Sequence, residues 1–186
     1  MMTAEFGAFG RWIGLLRVVG WSLAALLLLL PAVTMQFTDQ VDWTAFDFVF
    51  AAILLGGTGL LFELIVRRSP NLAYLLAATA AVANCFFLFW TTGAVGVIGS
   101  EDHPANLVYI GVIFLALIGA IAAAFRPFGM ARVMLVCAAV STAITAYGFT
   151  VDVRGATFSL GFVAIWLLSA ALFRVAARAP APGIAG

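Results

Sequence analysis

Long uncharged or nearly uncharged runs separated by short charged segments organise this 186-residue chain. Six such runs cover residues 12–35, 44–66, 71–98, 105–125, 132–151 and 156–175, to within a residue or two at each end. Each supplies the roughly 20 residues that a helix rising about 1.5 Å per residue needs to cross about 30 Å of hydrocarbon. Continuous stretches such as LAALLLLL, residues 23–30, lack the polar–apolar alternation of a barrel strand. A helix also satisfies its own backbone hydrogen bonds where lipid offers none. The pattern therefore predicts an all-α, polytopic membrane bundle of six transmembrane helices within residues 1–178. The Pro/Gly-rich stretch 179–186 (APAPGIAG from residue 179) is expected to be a disordered tail.

The charges between the runs give an orientation. One side receives Arg11, Arg67, Arg68, Arg126, Arg132, Arg174 and Arg178, with Arg17 just inside the first run. The other receives Asp39, Asp42, Glu101, Asp102 and Asp152, with Arg154 as its lone arginine. By the positive-inside rule both termini are cytoplasmic and the acidic connections face outward. Arginines followed by leucines near the N-terminus resemble a signal peptide. The run is long, however, and LPAVTMQFT offers no A-x-A cleavage site, so the expectation is a retained first helix.

Composition sharpens the class. Hydrophobic residues make up 65% of the chain and charged residues 9%, against about a quarter charged in a soluble domain. Scattered arginines do not form the basic stripe that neutralises nucleic-acid phosphates, so no nucleic-acid partner is expected. Lipid is the expected surrounding, and a homo-oligomer or a larger membrane complex is compatible with it. Cys85 and Cys137 fall inside apolar runs and make no CxxC site. His103 is the single histidine. One chain therefore cannot build a three-histidine zinc site or a bis-histidine haem. No ligand spacing points to a metal, and no cofactor is implied.

Polar residues inside or beside the apolar runs are the candidates for chemistry. The segment GVIGSEDHPANLVY, residues 96–109, gathers Glu101, Asp102, His103 and Asn106 at one outward turn. Ser100 and Asp102 suit helix caps and Pro104 suits a first helical turn. The same turn, with Asp47 from the outer end of the second helix, is a candidate outer-face binding site, and His103 is suited to proton exchange near neutral pH. Tyr109 and Tyr147 are candidates to line the same face. Asp47 and Glu63 are sixteen residues apart, about 24 Å of helix, too far for a paired-carboxylate site. Glu63 has Arg67 four residues on, and Arg17 at similar depth, which predicts an Arg17–Glu63–Arg67 cluster tying helices one and two. Asn84, near the middle of the third run, is expected to join helices through its amide, with Ser141 and Thr142 as partners.

The Leu-Pro closing the first run, FT with an acidic pair and Trp43, FVFAAILLGGTGLLFEL and above all TTGAVGVIGSEDHPANLVY resemble a set of small uncharacterised bacterial multi-helix inner-membrane proteins. The GSED-x-PAN element at residues 99–106 is the most specific part. The resemblance implies placement in a bacterial cytoplasmic membrane and the topology above. It assigns no activity to any residue. The leading expectation is a small membrane accessory or ligand-binding protein. A transporter or ion/proton pathway along Asp47, Glu63 and Asn84 is the second, and an intramembrane enzyme, with Ser100 beside His103 as its conceivable pair, the third.

Overall fold

A computed structural model describes residues 2–68 and 71–179, with side chains described at 14–15, 17–65 and 71–179. Six helices follow one another: α1 (Met2–Thr34), α2 (Ala45–Arg68), α3 (Leu72–Ala94), α4 (Asn106–Ala122), α5 (Pro127–Val151) and α6 (Val153–Arg178). Five are long and apolar enough to cross a membrane. The sixth, α4, is an apolar helix of 17 residues. The side chain of Arg67 and the structure of the tail 180–186 lie outside the described residues.

The chain divides into two compact units, Met1–Leu64 and Ile65–Gly186. In the first, Trp21 of α1 lies over Gly59 of α2. A Cβ at position 59 would stand 3.0 Å from the indole, so glycine gives this approach its closeness. Below the ring, Arg17 Nε meets Glu63 Oε2 at 2.8 Å. The start of α2 is a reciprocal cap. Thr44 donates its backbone N–H and its hydroxyl to Asp47 Oδ2, each at 2.7 Å, and Asp47 N–H points back to Thr44 Oγ1 at 3.4 Å.

The second unit is a ring of four helices in which α6 packs against α5 and α3, and α4 closes the ring by packing against the same two. Two hydrogen bonds fix the antiparallel register of α3 and α6. Asn84 Nδ2 donates to Phe162 O at 3.1 Å, and Ser169 Oγ donates to Ala77 O at 2.8 Å. Seven residues back along α3 thus match seven residues forward along α6. Small side chains let the helices approach: Ala77, Ala78, Ala138 and Ala170 are all buried. Trp166 and Phe173 fill the space this leaves.

Helix ends depart from the sequence expectation in physically clear ways. α3 stops at Ala94 instead of continuing to 98, because Gly96 and Gly99 take positive φ, +74° and +67°. α4 stops at Ala122, where Ala124 and Phe125 adopt φ of 48° and 57°. The turn is held from outside, because Tyr74 OH donates to Phe125 O at 2.9 Å. α5 starts early, at Pro127, which needs no N–H partner in a first turn. A single residue, Asp152, joins α5 to α6 and caps α6 by accepting Arg154 N–H at 3.0 Å.

Candidate functional site

The turn between α3 and α4 is a built element. Val97 and Ile98 leave α3 and turn inward until both are buried. Burial takes their backbone N–H groups from water, and Asn106 replaces it. Its Oδ1 accepts Val97 N–H at 2.9 Å and Ile98 N–H at 3.1 Å. Its Nδ2 faces three carbonyls: Ser100 at 2.8 Å, Ile98 at 3.3 Å and Glu101 at 3.5 Å. One amide thereby uses its full hydrogen-bonding capacity on the loop. The close wrap requires Gly96, where a Cβ would lie 2.7 Å from Ser100 O and 2.9 Å from Asn106 Nδ2.

The α5–α6 junction grips the same loop. Asp152 Oδ2 accepts Gly99 N–H at 3.1 Å. Backbone N–H groups of Gly155 and then Gly99 point at this carboxylate, and they outweigh the opposing effect of partial burial. Asp152 is thus held below the usual carboxylate range. Gly155 lies directly under Val97 O and Asp152 Oδ2, leaving no room for a Cβ. Gly148 does the same under Ile98, whose Cδ1 would be 2.6 Å from a Cβ there.

This arrangement corrects the expected capping. The residue before α4 is Ala105, which makes no side-chain cap bond, so neither Ser100 nor Asp102 caps that helix. His103 Nδ1 accepts Ala105 N–H at 3.2 Å. A neutral His103 ring therefore carries its proton on Nε2, and Nδ1 is not placed to serve as a base for Ser100. The ring centroid lies 6.4 Å from that of Tyr147. Glu101 and Asp102 remain exposed. Of the outer candidates, the structure thus brings Glu101, Asp102, His103 and Asn106 into one turn. Asp47 belongs to the first unit, where Thr44 holds it.

Inside the four-helix unit lies a second polar group. Tyr109 OH is 2.6 Å from Ser159 Oγ, which is 2.5 Å from Thr145 Oγ1. The direction of these bonds follows from counting protons. Thr145 spends its one O–H on Ser141 O at 2.7 Å, and a carbonyl can only accept. Ser159 must therefore donate to Thr145, and Tyr109 to Ser159. A one-way hydroxyl relay runs from α4 through α6 to α5, across the middle of the ring. Tyr109 faces inward, not outward as expected from its place after the loop. Ser159, one of two serines in an apolar helix, was the sequence signal for this group and was not singled out.

Asn84 joins helices as expected, but to a different partner. Its amide reaches the Phe162 carbonyl on α6, while Thr142 bonds to Ala138 O of its own helix at 2.8 Å. Asn84 Oδ1, Ser141 Oγ and Trp166 Nε1 are left without a hydrogen-bond partner in fully buried residues. Each such atom costs about 1–3 kcal/mol if nothing answers it. Glu63 pairs with Arg17 as expected, with side-chain exposures of 16% and 34%. The contact is a charge pair and not an in-line hydrogen bond from Nε, which lacks one. The place of Arg67 in that cluster lies outside the described side chains. Cys85 and Cys137 are free thiols. Among the described residues no three His, Cys, Asp or Glu side chains group as metal ligands.

Apolar helices of this length, with large hydrophobic side chains such as Leu26, Ile53, Phe114 and Leu168 on the outside, define a multi-pass α-helical membrane protein. Comparison with models of protein families, with curated proteins and with solved structures found no match.

Proposed function

We propose that the chain crosses a bacterial cytoplasmic membrane six times, with both ends on the cytoplasmic side, and acts as a small accessory or ligand-binding protein. The alternation of arginine-rich and acid-rich connections supports the topology. The short α4 fits six crossings because the loop before it dips inward and shares the depth with it. The observation that carries the binding role is the construction of the outward turn. Asn106 and Asp152 fix its backbone, while Glu101 and Asp102 stay exposed on it. A fixed frame presenting two exposed carboxylates suits a cationic group on a ligand or partner.

The test uses full-length protein in nanodiscs titrated with spermidine and, separately, with Zn2+, read by thermal unfolding. A saturable stabilisation abolished in Glu101→Gln/Asp102→Asn is expected. No saturable shift with either probe removes the cationic-ligand reading. Topology is checked separately by impermeant thiol labelling of Glu101→Cys from outside and Arg174→Cys from inside. The transport reading gains nothing from the structure. Asp47 is bonded to Thr44, Glu63 is paired with Arg17, and Asn84 bonds to Phe162.

A further inference from the structure

Of four unanswered buried polar atoms among the described residues of the second unit, Thr92 Oγ1 lies near the end of α3 and the other three point to a guest molecule. Asn84 Oδ1, Ser141 Oγ and Trp166 Nε1 all belong to side chains with no solvent exposure. Helix register brings them to adjoining levels. Asn84 stands level with Phe162, to which it bonds. On α5, Thr145 stands level with Ser159, so Ser141, one turn away, falls level with Phe162 and Val163. Trp166 follows Phe162 by four residues and shares its face of α6. Three helices thus carry unpaired, fully buried polar atoms at adjoining levels, about midway along α3.

Ser141 is informative because its alternative is available and unused. Thr91, Thr142, Thr145 and Thr157 turn their hydroxyls back to carbonyls of their own helices. The Ser141 hydroxyl does not. Nor does turning the Asn84 amide around give both of its ends a partner. Only its N–H₂ end can donate to the Phe162 carbonyl, so the oxygen end is always the unpaired one.

The chemistry of these atoms selects the guest. Asn84 Oδ1 only accepts, so the guest must donate. Trp166 Nε1 only donates, so the guest must also accept. The buried polar residues of the unit are Asn84, Thr92, Asn106, Ser141, Thr145, Ser159 and Ser169, none of them charged. An ion would meet no countercharge there. We propose that Asn84, Ser141 and Trp166 form an internal binding site for one small neutral molecule that both donates and accepts hydrogen bonds, either water or a membrane-soluble alcohol. The site lies below the Tyr109–Ser159–Thr145 relay, which ends on the Ser141 carbonyl. It goes beyond the outer-turn proposal and does not depend on it.

The chain has three asparagines, so selective 15N-asparagine labelling isolates the Asn84 side-chain amide in the full-length protein in deuterated micelles. Nuclear Overhauser contacts from its N–H₂ protons then report the guest, with water itself as the probe. A contact at the water frequency identifies water. A contact at aliphatic frequencies, with a matching retained mass in native mass spectrometry, identifies an alcohol. Absence of both overturns the proposal. Ser141→Ala is expected to weaken the contact at least fivefold, while Ser169→Ala, which removes a different buried hydroxyl, leaves it intact. An unchanged contact in Ser141→Ala also overturns the site. Should Ser141→Ala fail to fold, Trp166→Phe provides the same test from α6, and an unchanged contact there counts equally against the proposal.

Discussion

Among the described side chains of the first unit, only Pro31 and Ala51 are buried, whereas the second unit buries faces of all four of its helices. Both are built from helices of similar apolarity. Between the described side chains of the first unit's helices stand the close approach of Trp21 to Gly59 and the Arg17–Glu63 charge pair. The second adds hydrogen bonds between helices and from loop to helix. In lipid, apolar surface gains little by meeting other apolar surface, so packing fit and polar bonds distinguish a loose helix pair from a fixed bundle. The second unit holds Asn84, Asn106, Tyr109, Ser141, Thr145, Ser159 and Ser169, and these polar side chains are what the first unit lacks.

If that contrast is right, substitutions should rank by unit. Asn106→Ala should be the most damaging, because it strands the Val97 and Ile98 N–H groups. At about 1–3 kcal/mol for each stranded group, the expected loss is about 2–5 kcal/mol, measured by reversible unfolding in micelles. A loss below about 1 kcal/mol would mean the loop is not fixed by this amide. Gly155→Ala should follow, at about 1–3 kcal/mol, because a methyl there collides with Val97 O and the Asp152 carboxylate. Asp152 adds a pH signature. Its folded-state pKa is depressed by the Gly155 and Gly99 N–H groups. Its contribution is therefore complete above the unfolded value of about 3.9 and is lost as pH falls through the lower folded value. Asp152→Asn should flatten the acid limb of a stability–pH curve. An unchanged limb would assign it to other carboxylates.

The first unit should give smaller responses. Arg17→Gln and Glu63→Gln should each cost about 1 kcal/mol, with the double variant losing less than the sum. Simple additivity would show that the two charges do not interact. Smallest of all, Thr44→Val should fray the first turn of α2 by about 0.5–1 kcal/mol, visible as faster amide exchange at Asp47.

Much of this was legible in the sequence. The apolar runs mark each helix, and the Arg17–Glu63 pair follows from depth and charge. The end of α3 did not follow, because Val95, Val97 and Ile98 continue an apolar run although the chain has already turned. Val97 and Ile98 are apolar because the loop buries them, and Gly96 and Gly99 were the available warning. The end of α4 carried no such signal, since Ala124 and Phe125 take a conformation usual for glycine. The partner of Asn84 was hidden for another reason. Sequence displays side chains, whereas Asn84 found a backbone carbonyl, and every residue has one. At the turn between α3 and α4 the bonds of Asn106 to the loop backbone were not foreseen. Asn106 is fully used in holding the loop, so it frames the candidate surface without being free to bind.

Asp152 alone connects two helices of 25 and 26 residues. Such a link has no slack, so neither helix can complete a crossing while the other waits outside. During biosynthesis α5 and α6 would have to enter the bilayer as a single hairpin, its tip carrying Asp152 and Arg154 across together. The α3–α4 loop can reach its final form only after that hairpin arrives, since Asp152 and Gly155 form the surface on which it closes.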